Sequence, residues 1–304
     1  MLLPLTGRNI AYDIVGPENA PVVVFSHSLA ADLGMWAEQV PALLAAGYRA
    51  LRMDLRGHGG SDAPPGPYTI DQLADDVILV LDAISEKQCH FVGLSIGGMI
   101  GQSLGIRHAG RVRSLMLCDT QAASPADAAT RWGPRIEAVL KANSLEPIAD
   151  ATIARWLTAD YRKAYPGRWQ QIRDTIAGCT PAGYIGCAQA IGNFDFISQL
   201  PSVKTPALVV CGTDDPAGSP EEVRHIASLF GNGRLRANPW LARTVAVSLA
   251  AQAGTVLFPP LRKLLRTTPI GLADAGVVLA AAAAPTLARE TLKRLRRDDG
   301  GPRR

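Results

Sequence analysis

The sequence predicts an α/β protein with a mostly parallel central sheet, helices on both faces of that sheet and a helical cap insertion. Up to residue 230, short apolar runs typical of strands buried on both faces alternate with segments of helical periodicity. This alternation stops between residues 121 and 195, where only helical patterns occur. The chain has 304 residues, 47% of them apolar, which is enough for a large core and excludes wholesale disorder.

Predicted strands and helices follow one another in the order that a parallel sheet requires. The predicted strands are Pro21–Ser26, Tyr48–Leu55, Cys89–Leu94, Val112–Cys118 and Ala207–Cys211. Helical periodicity marks Ile70–Ile84 and Gly97–Arg107 between them. Because ligands of such sheets bind at the carboxyl ends of the strands, we expect the functional residues directly after each strand.

Four regions make up the predicted organisation. Residues 1–120 and 196–230 form the core, residues 121–195 form the helical cap, and residues 231–304 form an atypical tail rich in Ala and Arg. The predicted cap helices are Trp132–Ala142, Ile148–Ala159, Arg168–Ala177 and Gly183–Ile191. The tail holds 13 of the 31 basic and 4 of the 27 acidic residues, so its net charge is +9 and that of the rest is −5.

Composition also limits the partners and the location of the protein. The positive charge belongs to the tail and no nucleic-acid recognition module accompanies it, so we expect no nucleic-acid partner. The apolar tail stretches Thr244–Phe258 and Gly276–Ala288 are shorter than the roughly 20 residues of a membrane span. Five scattered cysteines without CxxC spacing and the absence of a signal-peptide pattern favour the cytoplasm, with no metal or cofactor.

The segment Gly93-Leu-Ser-Ile-Gly-Gly98 is the strongest chemical signal. It lies between a predicted strand and a predicted helix, which is the context of a nucleophile elbow. Small residues must flank the serine of such a tight turn, so Ser95 is the predicted nucleophile. The alternative is a Gly-rich turn in which Ser95 only caps the helix.

Two backbone amides are candidates for an oxyanion hole, which needs two preorganised donors. One is the N–H of Ile96, next to the predicted nucleophile, and the other is the N–H of Leu29 in the loop after the first central strand. We interpret His27 in that loop mainly as a residue that shapes the turn. The segment Asp54–Ser61 contains glycines for a sharp turn beside the site but lacks the spacing of a phosphate-binding loop.

A carboxylate that orients a catalytic histidine is expected after a later strand, in Cys211-Gly-Thr-Asp-Asp-Pro216. Asp215 is the preferred candidate and Asp214 is the alternative. A turn-forming Asp-Pro pair without catalytic role is the simplest competing interpretation.

Together these segments resemble the α/β-hydrolase family, and in detail the 3-oxoadipate enol-lactonases. The resemblance covers about residues 7–230. It includes the elbow, the Asp54–Ser61 segment, Cys118-Asp-Thr120 and the run from His27 to Trp36. Cap stretches such as Trp132-Gly-Pro-Arg135 and Arg155-Trp-Leu-Thr158 belong to it too.

The resemblance implies an α/β-hydrolase fold and hydrolysis of a small carboxylic ester or lactone. The implied reaction converts 3-oxoadipate enol-lactone to 3-oxoadipate, in the β-ketoadipate pathway of aromatic degradation. Such a substrate is a carboxylate, so we expect a cation in the cap. The substrate-binding candidates are Trp36, Arg131, Trp132 and Arg135. No cofactor is implied, and the expected partner is the small-molecule substrate alone.

The sequence departs from the family at the histidine, which should follow the acid by a few tens of residues. His225 is the sole histidine after Asp215, and it lies on a predicted surface helix, so the base stays unidentified. His27 or His58 are the remaining candidates near Ser95. The change of composition at about residue 231 suggests a replaced or frame-shifted end. Two further interpretations therefore stay open: another α/β-hydrolase esterase, and a catalytically impaired homologue.

Overall fold

A computed structural model describes residues 1–212 and 220–231 of the chain. These residues belong to one compact unit, Met1–Leu235, and a second unit, Arg236–Arg304, lies outside the described residues. The predicted tail and the predicted acids Asp214 and Asp215 therefore also lie outside the described residues. No helix in the described part is long and apolar enough to cross a membrane.

Seven strands form one sheet in the described residues. They are β1 (Leu2–Leu5), β2 (Arg8–Val15), β3 (Val22–Ser26), β4 (Arg49–Met53), β5 (Cys89–Leu94), β6 (Val112–Cys118) and β7 (Ala207–Val210). Their order in the sheet is β1-β2-β4-β3-β5-β6-β7. β2 pairs antiparallel with both β1 and β4. The remaining neighbours in the sheet, from β4 through β3, β5 and β6 to β7, pair in parallel. The mostly parallel sheet is thus confirmed.

The register places the carboxyl ends of the central strands side by side. Ser26 at the end of β3 pairs with Met53 of β4 on one side and with Gly93 of β5 on the other. Cys118 ends β6 opposite Leu94. The loops that follow β3, β4, β5 and β6 therefore leave the sheet next to one another, as the sequence predicts for a site.

Helices cover both faces of the sheet. α1 (Val40–Ala45) contacts β4, while α2 (Ile70–Ala83) packs on α3 (Ile96–Arg107), which lies against β5 and β6. All five residues of β3 are buried, as expected of a strand covered on both sides. Two clusters of buried side chains result, a large one and a smaller one around Phe25 and Trp36.

Five helices occupy the connection between β6 and β7. They are α4 (Ala128–Ala142), α5 (Glu146–Trp156), α6 (Ala159–Ala164), α7 (Pro166–Gly178) and α8 (Pro181–Gly192). α4 contacts both α5 and α8, and α5 contacts α7. The last described helix, α9 (Pro220–Leu229), packs against β7. The boundaries 121–195 of a cap domain stay a prediction, because the helices alone do not define a domain.

Candidate active site

Ser95 occupies a sharp turn between β5 and α3. Its backbone angles are φ 55° and ψ −114°, in a region that side-chain-bearing residues rarely adopt. Three hydrogen bonds of 2.9 Å fix this turn, and a fourth, from the Met99 N–H to the Ser95 carbonyl at 3.1 Å, begins α3. The Ser95 N–H donates to Cys118 O at 2.9 Å, and the Ser95 carbonyl accepts from the Gly98 N–H and the Thr120 hydroxyl, both at 2.9 Å. The Ser95 residue is half-buried, and its hydroxyl has no hydrogen-bond partner among the described residues.

The glycines around Ser95 are required by close backbone contacts. A Cβ on Gly93 would lie 2.1 Å from Gly97 O, and a Cβ on Gly97 would lie 2.4 Å from Ser26 O. A Cβ on Gly98 would lie 2.6 Å from the Cβ of Thr120. These distances are far below van der Waals contact, so the turn passes so close to β3 and β6 that no side chain fits. The geometry is that of the predicted elbow.

Two amides near the elbow have no acceptor within the described residues. Ile96 is the first residue of α3, so its N–H has no partner in the helix. Leu29 lies in the loop after β3, and no hydrogen bond of its N–H occurs in the described structure. Both amides belong to segments that leave neighbouring parallel strands, β5 and β3. They are the donors predicted for an oxyanion hole, and that role stays a prediction.

His27 and His58 are fully buried and both of their ring nitrogens are engaged with backbone groups. Nε2 of His27 accepts from the Leu55 N–H at 3.0 Å, and Nδ1 lies 2.7 Å from Ser28 O. Nε2 of His58 accepts from the Ala30 N–H at 3.0 Å, and Nδ1 lies 2.9 Å from Arg56 O. Both rings are therefore neutral, with the proton on Nδ1. Neither ring can accept a proton from Ser95, and the loop-shaping interpretation of His27 is confirmed.

Burial lowers the pKa of both histidines. The pKa of His27 is lowered to about 4 by desolvation, against a raising effect of its bond to Ser28 O. The pKa of His58 is lowered to about 3 by desolvation and then by the nearby His27. Both rings stay uncharged throughout the neutral range, which suits their hydrogen bonds to amide donors.

The remaining histidines of the chain also lie in the described residues, away from the elbow. His90 is near the start of β5, roughly 16 Å along the strand from Ser95, and His108 follows the far end of α3, roughly 18 Å away. His225 lies on the exposed face of α9, whose buried side consists of Val223, Ile226 and Ala227. Its exposed position gives no support to His225 as the base.

Asp54 connects the loops that follow β3 and β4. Its carboxylate accepts from the Leu33 N–H at 2.6 Å and from the Gly60 N–H at 2.9 Å. Burial raises the pKa of Asp54 to about 6, although both amide hydrogen bonds oppose this rise. Asp54 thus holds two loops at the edge of the sheet where Ser95 lies.

Asp119 is a second carboxylate at this edge of the sheet. It follows β6 directly and has a positive φ of 44°. Its N–H donates to Val210 O at 2.8 Å, and its carboxylate accepts from the Gly212 N–H at 2.9 Å. Asp119 therefore fixes the start of the segment in which Asp214 and Asp215 follow.

The substrate-binding candidates fall into three environments. Trp36 is buried in the smaller core cluster, 5.0 Å from Phe25 between ring centroids, so its place is in the core and it is not exposed to a substrate. Arg131 is exposed and paired with Asp127 at 2.8 Å. Arg135 lies over the ring of Trp132 at 5.2 Å, and it forms no ion pair with the described residues.

Arg135 lies close enough to Arg155 and Tyr184 to affect the pKa of both groups. Partial burial lowers the pKa of the Arg155 guanidinium, and the charge of Arg135 lowers it further. Burial raises the pKa of the Tyr184 phenol, and Arg135 and Arg155 partly offset this rise. In the described part of the chain Arg155, like Arg135, has no carboxylate partner. Two cations and a phenol thus form an anion-attracting group in the helical insertion.

Sequence reasoning did not find the roles of Asp54, His58, Thr120, Arg155 and Tyr184. Asp54 directly follows β4 and Thr120 is the second residue after β6, which was a usable signal, because residues at such positions line the carboxyl edge. Nothing in the sequence distinguishes a histidine that accepts an amide proton from one that serves as a base. No group of three or more potential metal ligands occurs in the described residues.

Comparison with known proteins agrees with this geometry. A family model described as the alpha/beta hydrolase fold matches residues 21–240. A second model, described as the C-terminus of cation transporting ATPases, matches residues 222–295, most of which lie outside the described residues. The 3-oxoadipate enol-lactonase 2 of Acinetobacter baylyi is 35% identical over 214 residues, which cover 70% of this chain and 79% of that relative.

Solved structures match the architecture over most of their length. The enol-lactonase from Burkholderia xenovorans LB400 has a TM-score of 0.74 and 36% identity, covering 83% of this chain and 98% of that protein. A hydrolase from Pseudomonas aeruginosa PA01 has the same TM-score at 30% identity, covering 84% and 98%. The elbow and the sheet order agree with the family model, which spans most of the chain. The chain therefore belongs to the alpha/beta hydrolase fold family.

Proposed function

We propose that this chain hydrolyses a small carboxylate-bearing lactone or ester through Ser95, most specifically 3-oxoadipate enol-lactone to 3-oxoadipate. The backbone of Ser95 is the observation that carries the proposal. A φ of 55° held by three hydrogen bonds is strain that a mere helix cap does not need. The similarity to enol-lactonases supports the substrate. A role in the β-ketoadipate pathway and a cytoplasmic location stay predictions.

The proposed reaction has two steps. The Ser95 hydroxyl oxygen attacks the lactone carbonyl carbon as its proton passes to water, and the amides of Leu29 and Ile96 stabilise the negative charge on the carbonyl oxygen. The bond to the ring oxygen then breaks, the enolate takes up a proton and becomes a ketone, and an acyl-serine remains. Water attacks the acyl-serine, releasing the new carboxylate and regenerating the serine hydroxyl.

Two arginines of the helical insertion, unpaired among the described residues, favour a substrate that carries a carboxylate. Arg135 is the better candidate because Arg131 already pairs with Asp127, whereas Arg135 and Arg155 have no carboxylate partner in the described part. A substrate carboxylate between Arg135, Arg155 and the Tyr184 hydroxyl would satisfy all three. Hydrogen bonds between charged groups of this kind contribute about 1.5–3 kcal/mol.

The histidine positions favour slow turnover, and they make a catalytically impaired homologue the second candidate. Without a base the serine hydroxyl is a weak nucleophile at neutral pH. Loss of one triad member typically leaves roughly 10³–10⁴-fold catalysis over water, from the oxyanion hole and binding. An enol is a better leaving group than an amine, so this residual catalysis is enough for measurable lactone hydrolysis.

The proposal is tested by measuring the hydrolysis of the enol-lactone and of a neutral activated ester. The starting protein is compared with three variants. Ser95→Ala should abolish both activities above background, whereas Ser228→Ala, an exposed serine on α9, should leave both unchanged. Arg135→Ala should raise KM for the lactone about tenfold with little effect on the neutral ester. Equal rates for the starting protein and Ser95→Ala would refute the nucleophile and favour the impaired homologue.

A further inference from the structure

The loops that follow β3 and β4 are joined by two reciprocal hydrogen bonds from a backbone amide to a histidine ring. The β3 loop comprises residues 27–36 and the β4 loop comprises residues 54–61. Each loop supplies a buried histidine whose Nε2 accepts an amide proton from the other loop. His27 accepts from Leu55, and His58 accepts from Ala30, each at 3.0 Å. The two rings lie 5.3 Å apart between centroids.

The hydrogen bond from Ala30 matters because of the conformation it holds. The Ala31 N–H donates to Ser28 O at 3.1 Å, which closes a four-residue turn, and Ala30 is the third residue of that turn with φ 61°. Glycine is preferred at such a position, since a positive φ strains an alanine. The turn would relax by rotating its central peptide, and that rotation would turn the Ala30 N–H away from His58. The His58 acceptor therefore selects the strained turn.

Leu29 is the second residue of the same turn, and its N–H is one of the two candidate oxyanion donors. The Leu29 N–H belongs to the peptide before the one that would rotate, so His58 acts on its position: the bond to Ala30 anchors the next residue of the turn to the β4 loop. A second bond restrains the loop further on, from the Leu33 N–H to Asp54 at 2.6 Å. The bond between His27 and Leu55 lies before Leu29 in the chain, and the bonds of Ala30 and Leu33 lie after it, so the β4 loop holds the β3 loop on both sides of this amide.

We propose that His58 is a positioning residue of the oxyanion hole, which holds the Leu29 amide in place through the Ala30 N–H. The proposal rests on the proposed function for the role of Leu29, but the restraint on the turn is independent of it. His58 does not touch the reacting atoms. It acts as a neutral acceptor, with its Nδ1 proton committed to Arg56 O at 2.9 Å.

Variants at His58 separate this role from a general contribution to folding. His58→Leu keeps the approximate volume and removes the acceptor, whereas His58→Gln keeps an oxygen that reaches the position of Nε2. We expect His58→Leu to lower kcat for a neutral activated ester about 10- to 100-fold with KM nearly unchanged, because the lost stabilisation belongs to the transition state. His58→Gln should recover most of that loss.

A second substitution tests the turn itself. Glycine adopts a positive φ without strain, so Ala30→Gly should partly restore kcat when it is combined with His58→Leu. His225→Leu, the same change on the exposed face of α9, is the matched control and should leave kcat unchanged. A folded His58→Leu protein with the kcat of the starting protein would overturn the proposal, and so would a double variant no better than His58→Leu.

A readout without catalysis distinguishes failure of this proposal from failure of the proposed function. Amide hydrogen exchange of Ala30, measured by NMR, should be at least about tenfold faster in His58→Leu than in the starting protein and in His58→Gln. If the starting protein cleaves no ester, the proposed function fails while the exchange of Ala30 still decides the restraint. Rapid exchange of Ala30 in the starting protein would overturn the restraint whatever the activity.

Discussion

Ser95 and Ala30 both hold a positive φ, of 55° and 61°, although neither is a glycine. Such conformations cost roughly 1–3 kcal/mol each and persist where surrounding contacts determine them. At Ser95 the contacts are the hydrogen bonds of the elbow, and at Ala30 the contact is His58. Two of the five non-glycine residues with positive φ in the described part of the chain thus lie in the turns that carry the candidate nucleophile and one candidate oxyanion donor.

The glycines of the elbow lead to a prediction about stability. Gly93→Ala should destabilise the protein by about 3 kcal/mol or prevent folding, because its Cβ would meet Gly97 O at 2.1 Å. Gly167→Ala is the control, since a Cβ at this position of α7 meets nothing within 4 Å. It should stabilise the helix by about 0.5–1 kcal/mol. Urea unfolding measures both, and similar free energies for the two variants would contradict the packing argument.

The buried titratable groups of the two loops predict how stability depends on pH. Between about pH 6 and pH 4 the unfolded chain carries protons on His27 and His58 that the folded protein does not carry. Over the same range the folded protein carries a proton on Asp54 that the unfolded chain lacks. The unfolded state therefore binds one net proton more, and these groups should lower stability by about 1.4 kcal/mol for each unit of pH below 6.

His58→Gln provides the control for this pH dependence. The variant removes one of the two histidine protons, so the uptake at His27 and the opposite effect of Asp54 should nearly cancel. Chemical denaturation at several pH values between 6 and 4 measures the slope for both proteins. An equal slope in His58→Gln would show that His58 is not neutral in the folded protein.

At the scale of elements, the β4 loop also joins the sheet edge to helix α8. The carbonyl of Gly57 accepts from the Thr180 hydroxyl at 2.7 Å and from the Thr180 N–H at 3.2 Å. The Thr180 hydroxyl in turn accepts from the Gly183 N–H at 3.1 Å and caps the helix. A Cβ on Gly183 would lie 2.5 Å from the Cα of Gly57, so backbones meet directly here.

Thr180 therefore should contribute more than an ordinary helix cap. Thr180→Val should cost about 2 kcal/mol of unfolding free energy, because it removes both the cap and the bond to Gly57. Thr158→Val removes a cap on α6 that bonds only to Tyr161 N–H, so it should cost about 1 kcal/mol. Thr180→Ser keeps the hydroxyl and should restore most of the loss. Equal costs for the two valine variants in urea unfolding would refute the docking role of Thr180.

At the scale of the whole molecule, none of the five histidines is placed to accept a proton from Ser95. His27 and His58 are buried hydrogen-bond acceptors within the β3 and β4 loops. The other three lie far from Ser95 or on the surface: His90 near the start of β5, His108 after the end of α3, and His225 on the exposed face of α9. The sheet edge consequently presents a serine with candidate oxyanion donors and no imidazole. This distribution is the physical basis for expecting slow turnover.

Imidazole in solution should therefore accelerate the reaction. Hydrolysis of a neutral activated ester at pH 7.5 should rise in proportion to the imidazole concentration, since dissolved imidazole supplies the missing base. Ser95→Ala measures the direct hydrolysis of the ester by imidazole, which is subtracted. Turnover that does not depend on imidazole and exceeds the Ser95→Ala background would mean that a base of the chain already serves Ser95.

Much of the fold was predictable because local patterns carry it. The strands β5 and β6 have the predicted bounds, and the other predicted strands and helices are confirmed within a few residues. The predicted helix Ile148–Ala159 is α5, and α6 was not predicted. β1, β2 and α1 were missed. β1 contains Pro4, β2 mixes polar and apolar residues without clear alternation, and α1 has only six residues. Such short or mixed segments gain their structure from pairing and packing.

The sequence by itself determined the parallel sheet and the position of the elbow, because apolar periodicity and glycine spacing are local properties. Only the tertiary structure decided that Trp36 is a core residue and that His27 and His58 are neutral acceptors. The surroundings of these side chains depend on which groups from distant segments of the chain pack together. Burial and hydrogen-bond partners, which fix the proton on a histidine, are properties of that packing and not of the residue.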